Sequence, residues 1–191
     1  MKRTLILFFA LVLLLGAFSS CAERKTNLPG SENAPAETGE AAKGVSFTAR
    51  DFAGELVNEQ IFAGKKVTML NIWASYCGPC LQEMPELEAL SNSMGDDFQI
   101  IGVCIDAADR NFEVIPQTKQ EAEKIIQTTG VTYRNLLPSK TLNELYLKEV
   151  QVVPTTYFVD EAGRILEEAY FGARTESQWR AIAEELLRKA G

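Results

Sequence analysis

The stretch Trp73-Ala74-Ser75-Tyr76-Cys77-Gly78-Pro79-Cys80 decides how the rest of the chain is read. Two cysteines stand three positions apart with Gly78-Pro79 between them, after an apolar run at residues 67–73 and before a helix-like pattern at residues 81–94. Such a run predicts a strand and such a pattern a helix, so the cysteines fall at a strand-to-helix junction. That placement brings two sulfurs within disulfide reach and sets the first at a helix N-terminus. Unpaired backbone N–H groups and the helix dipole favour a thiolate there. The residues therefore predict a thiol–disulfide exchange centre. The competing readings are half of a zinc site or a static disulfide. A zinc site needs four ligands, and the chain has no histidine and no second Cys-x-x-Cys.

Working outward, Leu81, Met84, Leu87, Leu90 and Met94 form an apolar stripe on the helix, with Pro85 expected to kink it. Residues 66–73 and 98–105 read as buried strands, which with the helix make a right-handed βαβ unit. Ahead of it, residues 45–48 alternate like a short strand and Gly54-Glu55-Leu56 turns into a second. After it comes an irregular loop at 106–116. Thr118-x-x-Glu121 then reads as a capping box for a helix ended by Gly130, and Thr141-x-x-Glu144 as another. Residues 133–137 suggest a short strand. Pro154 introduces a strand at 155–159, Asp160-Glu161-Ala162-Gly163 turns it into a second at 164–171, and Thr175-x-x-Gln178 caps a last helix. The expected class is α/β: a mixed central sheet flanked by helices, with an N-terminal strand pair and a helical insertion after the βαβ unit.

The 191 residues suit one domain of about 100–150 residues with additions. The net charge of −7 argues against a nucleic-acid partner, which calls for a basic face. With no histidine, Ser-His-Asp and Cys-His hydrolases, His-ligated metals and Cys-x-x-Cys-His haem attachment are excluded. Lys2-Arg3, the apolar run 5–15 and the small residues before Cys21 resemble a bacterial lipoprotein signal over residues 1–20, with Cys21 lipidated. Phe18 departs from the usual aliphatic residue three before that cysteine, so a plain signal peptide or an uncleaved anchor stays open. Residues 21–44, poor in large apolar groups, read as a flexible tether with a reach of roughly 25 Å. Residues 45–191 form the folded domain. Export would set the dithiol where disulfides persist, on the outer side of a bacterial membrane.

Trp-x-x-x-Cys-Gly-Pro-Cys, the distant Val153-Pro154-Thr155 and the β-α-β/β-β-α order together resemble the thioredoxin fold. The insertion, the export signal and Cys80-Leu81-Gln82-Glu83-Met84-Pro85 resemble more specifically the TlpA/ResA-type membrane-anchored thiol–disulfide oxidoreductases of the bacterial envelope. The resemblance covers about residues 45–190. It implies that Cys77 is the exposed attacking thiol and Cys80 the resolving one. It also implies that Pro154 is a cis proline facing the dithiol, that the Val153 backbone pairs with an extended substrate, and that Trp73 and Tyr76 border the substrate groove. Gly78 and Pro79 complete the motif, resembling reducing thioredoxins more than strong oxidants. Asn71 stands where thioredoxin carries a buried acid, and Glu83, matching a family acid, is the replacement candidate. Burial would raise its pKa and let it take a proton from Cys80; a solvent-facing Glu supporting the helix dipole is the alternative. Cys104 is expected to be buried and inert rather than regulatory.

The resemblance implies no metal and no cofactor beyond the Cys77–Cys80 disulfide. Its partners would be exported proteins carrying disulfides, apocytochrome c cysteines among them, a membrane thiol-reductant carrier, and the membrane itself through the lipid anchor, with the chain acting as a monomer. A peroxiredoxin-like antioxidant and a non-catalytic thioredoxin-fold binding protein are the rival readings. The first would want a Thr-x-x-Cys-type site, and the second leaves Cys77 and Cys80 unexplained.

Overall fold

The sheet is built on β3 (Val67–Trp73), in which every residue is buried. It pairs in parallel with β4 (Phe98–Cys104) and antiparallel with β6 (Thr155–Val159). A strand with neighbours on both sides and layers on both faces cannot afford the alternating polar residues of a half-exposed one. The five-stranded order is β5-β4-β3-β6-β7, with β5 at Asn135–Leu136 and β7 at Tyr170–Phe171. β1 (Thr48–Arg50) and β2 (Leu56–Asn58) form a separate antiparallel pair. These elements belong to a computed structural model that describes residues 44–191. The expected export segment, Cys21 and the tether up to residue 43 lie outside the described residues.

The period-2 alternation of the central strands divides the core into two clusters. Val67, Met69, Trp73, Phe98, Ile100 and Phe158 face helices α1 (Gly78–Ser93), α2 (Pro116–Thr129) and α4 (Glu176–Ala190). Leu70, Ile72, Ile101, Val103 and Val159 face the β1–β2 pair and a short helix, α3 (Lys140–Leu142), which continues as a π-helical turn over Asn143–Leu147. The predicted α/β class with an N-terminal strand pair is the observed one. Among the described residues no helix is long and apolar enough to cross a membrane.

Local departures from the expected elements have local causes. The first strand forms at Thr48–Arg50, sharing only Thr48 with the alternating residues 45–48. Helix α1 runs unbroken through Pro85, which lies on its exposed side, so the carbonyl that the proline leaves without a donor is on the solvent side. Thr118 does not cap α2. The helix opens two residues earlier at Pro116, whose fixed φ and missing N–H suit the first helical position. Nor does Thr141 cap α3: Ser139 Oγ accepts from the Leu142 N–H at 3.1 Å, while Thr141 exchanges hydrogen bonds with the Thr48 backbone and ties α3 to β1. The Thr175–Gln178 capping box of α4 is present in both directions. Of the expected strand 164–171 only Tyr170–Phe171 joins the sheet as a strand, with an isolated bridge between Val159 and Ile165.

Candidate active site

Helix α1 begins immediately after Cys77, which is its N-cap residue. The Cys77 sulfur accepts from the Cys80 backbone N–H at 3.2 Å, in the position a capping serine oxygen would take. Cys77 and Cys80 are joined as a disulfide, their Cα atoms 5.3 Å apart. Pro79 lies in the first turn, where its missing N–H costs no helical bond. A Cβ on Gly78 would meet nothing within 4 Å, so Gly78 leaves the surface beside the disulfide open. Cys77 keeps 6% of its surface exposed and Cys80 2%. Cys77 is thus the slightly more exposed residue of the pair, but in the disulfide it is buried, where an exposed attacking thiol was expected.

The loop before the dithiol is anchored from β4. Asp106, just beyond that strand, accepts from the Ser75 N–H at 3.0 Å and from the Ser75 hydroxyl at 2.6 Å. The free thiol of Cys104 is fully buried and donates to Asp106 Oδ1 at 3.2 Å. Burial first, and the Asp106 charge second, push that thiol well above the usual cysteine range. Sequence reasoning did not single out Ser75 or Asp106, because only the parallel pairing of β3 with β4 brings their loops together.

Trp73 does not border a groove. Its side chain is fully buried, and its indole N–H donates to Asn135 Oδ1 at 2.9 Å, as a buried indole must find an acceptor. That contact requires Gly102, where a Cβ would stand 1.9 Å from Asn135 Oδ1. Tyr76, by contrast, is exposed beside Cys77. The Val153–Pro154 peptide is cis. Pro154 is buried and Val153 half-buried, directly before β6 at the end of β3 from which the dithiol loop departs. Among the described residues no backbone hydrogen bond engages Val153.

Glu83 lies on α1 one turn beyond Cys80, the spacing at which helix side chains share a face. It is only 2% exposed, which removes the solvent-facing alternative. Oε1 accepts from the Trp179 indole N–H at 2.7 Å and the Arg174 backbone N–H at 2.8 Å. Oε2 has a longer contact, 3.4 Å, from the Asn71 amide, which also donates to Thr156 Oγ1 at 3.3 Å. Loss of water raises the carboxyl pKa above its ordinary 4.5, and the donors and the Arg174 charge oppose part of that rise. The polar edge of Trp179, 96 residues from Glu83 along the chain, left no sequence signal. Among the described residues no group of three or more His, Cys, Asp or Glu is placed to hold a metal.

Residues 37–184 match the redoxin family. The chain is 30% identical over 139 residues to the thioredoxin-like protein YneN of Bacillus subtilis, covering 73% of this chain and 75% of that protein. It is 29% identical to the thiol-disulfide oxidoreductase ResA of Halalkalibacterium halodurans, over 78% and 77% of the two chains. The sporulation thiol-disulfide oxidoreductase A of Bacillus subtilis is 27% identical over 96% and 98%. Similar solved structures include StoA from Bacillus subtilis, with a TM-score of 0.57 and 23% identity over 73% and 97% of the chains. Another is the exposed lipoprotein thioredoxin of Streptococcus pneumoniae, with a TM-score of 0.55 and 25% identity over 75% and 99%. With a bonded Cys-x-x-Cys pair at the head of α1 and these relatives, the chain belongs to the redoxin family and is a thioredoxin-like thiol–disulfide oxidoreductase of the ResA/StoA type.

Proposed function

We propose that this oxidoreductase works in the bacterial cell envelope, held to a membrane by a lipid on Cys21, and reduces disulfides of exported proteins. The observation that carries the chemical part is Glu83, a dry carboxyl one helical turn behind the inner cysteine of the disulfide. In the reduced enzyme the Cys77 thiolate, favoured by the α1 N-terminus, attacks a client disulfide. A Cys77–client bond forms and one client sulfur leaves as thiolate. Cys80 then gives its proton to Glu83, and the Cys80 thiolate attacks the Cys77 sulfur. The Cys77–Cys80 bond forms, and the second client sulfur leaves. Two electrons have moved to the client, and the proton on Glu83 passes on to a released thiolate or to water. A membrane thiol carrier would return the two electrons.

The raised pKa suits Glu83 to this role, because a general base works best with a pKa near the operating pH. The free Val153 backbone beside Pro154 supports pairing with an extended client segment, and Tyr76 offers it an exposed ring. The lipid anchor is supported by the pattern ending at Cys21 and by the likeness to a lipoprotein thioredoxin. Apocytochrome c cysteines are one client class this chemistry suits. The peroxiredoxin-like reading would want a Thr-x-x-Cys site, and Ala74 stands three residues before Cys77. The test is to express Cys80→Ser and identify proteins trapped on Cys77. Mixed disulfides with exported proteins, lost in Cys77→Ser/Cys80→Ser, are the expected result; their absence would sink the client-reducing reading.

A further inference from the structure

The carboxylate of Glu83 is held unevenly. Two short donors converge on Oε1, the Trp179 indole N–H and the Arg174 backbone N–H, at 2.7 and 2.8 Å. Oε2 receives only the Asn71 amide at 3.4 Å, and that amide has Thr156 as a second acceptor. Hydrogen bonds from N–H groups to an ionised carboxylate are among the stronger ones, and neither donor here can become an acceptor. A proton arriving on Oε1 would turn both against it. A proton on Oε2 displaces only a long contact whose donor keeps a partner.

The donors are themselves held in place. The Arg174 guanidinium donates to the carbonyls of Phe171 and Gly172, closing its own loop. It also lies 4.8 Å from the Trp179 ring centre and 5.0 Å from that of Tyr170. Trp179 is fully buried and packs edge-on against Phe158 and Tyr170. We propose that Trp179 and Arg174 are positioning residues of the reaction, which clamp Glu83 Oε1 and so make Oε2 the atom that takes the Cys80 proton. This rests on the reading of Glu83 as the proton acceptor.

The clamp also sets the pH at which Glu83 works. Donors to the ionised form favour it, so removing one raises the proton affinity of the carboxyl. The other titratable or charged groups facing Glu83 are Cys80 on its own helix, the Arg174 guanidinium from the loop before α4, and the Tyr133 phenol from the segment before β5. Asn71, Thr156 and Trp179 are neutral. A bland account of the same contacts is that Glu83 merely satisfies a buried indole. That account predicts a stability change and no change in pH profile.

The experiment follows the rate at which Cys80 resolves a mixed disulfide between Cys77 and a small aromatic thiol, against pH, in the full-length protein. In Trp179→Phe, which keeps an aromatic ring and loses the N–H, the profile should move alkaline by about one to two pH units, the size expected for one charge-assisted hydrogen bond. In Glu83→Gln/Trp179→Phe the second substitution should produce no further shift. Arg174→Gln, at a partly exposed site, should move the profile in the same direction by less, and it carries the test if Trp179→Phe does not fold. In the parent, Trp179 emission should titrate with the same midpoint and lose that transition in Glu83→Gln. An unshifted profile in a folded Trp179→Phe, with Glu83→Gln slowed, overturns the clamp and leaves Glu83 as acceptor. So does a shift that persists in the double variant. If Glu83→Gln resolves at the parental rate with the parental profile, the acceptor reading falls and the clamp with it.

Discussion

Cys104 and Cys80 both lie out of water, and each has an acidic side chain at hand, Asp106 for the first and Glu83 for the second. Cys104 stands at the end of a central strand and, among the described residues, is the cysteine outside the disulfide; its S–H points at a carboxylate already bound by the Ser75 loop. Burial and that charge both hold the proton on sulfur. Cys80 stands in the first turn of α1, bonded to Cys77 at the helix N-cap, and its acid is desolvated. A carboxylate beside a thiol opposes the thiolate in either place. What distinguishes the second site is a helix N-terminus at Cys77 and an acid whose proton affinity burial raises above that of an ordinary carboxyl.

The comparison is broken most severely by Cys77→Ser, which should abolish reduction of a model protein disulfide while leaving the fold and Cys104 unaltered, as read by activity and thermal melting. Next comes Glu83→Gln. Loss of a general base should slow resolution by Cys80 by about 100-fold, measured by stopped flow, and flatten its rise with pH.

The same variant makes a stability prediction whose sign is opposite to that of an ordinary ion-paired carboxylate. The folded-state pKa of Glu83 lies above its ordinary 4.5, so between the two values the native state binds more protons than the unfolded one. Stability contributed by the protonated form is full below that window and falls as pH rises through the folded pKa. Glu83→Gln should therefore melt higher than the parent at neutral pH and lose that advantage below pH 4.5. Equal differences at both pH values would contradict the burial argument.

On the other side of the comparison, Asp106→Ala should cost about 1–3 kcal/mol in denaturant unfolding, since it leaves the Ser75 N–H and hydroxyl without their acceptor. It should also lower the Cys104 pKa, seen as faster alkylation at high pH. The smallest effect is that of Cys104→Ala. Turnover should be unchanged and stability reduced by about 1 kcal/mol, as for a small buried side chain removed without a reacting partner.

The elements that could be read along the chain were those whose cause is local. The β3 run, the α1 start after Cys77, the αL stop at Gly130 and the Thr175–Gln178 box each depend on residues within a few positions of one another. Thr118 and Thr141 carried the same signature and failed. A serine or proline nearby offered a better start, and Thr141 was drawn off by a strand ninety-three positions away in sequence. Trp73 was misplaced for a related reason: its position next to the dithiol was visible, but the face it occupies depends on Gly102 and Asn135.

The sequence by itself determined the chemistry: a Cys-Gly-Pro-Cys at a strand-to-helix junction, no histidine to offer another mechanism, and an acid one turn behind the inner cysteine. Those are matters of composition and short spacing. Tertiary structure alone decided the condition of that acid. Asn71, Arg174 and Trp179 come from β3, the loop before α4, and α4 itself, and they meet around Glu83 only when α1 and α4 pack on the same face of the sheet. Desolvation and the direction of hydrogen bonds belong to a three-dimensional enclosure, and no spacing along the chain encodes them.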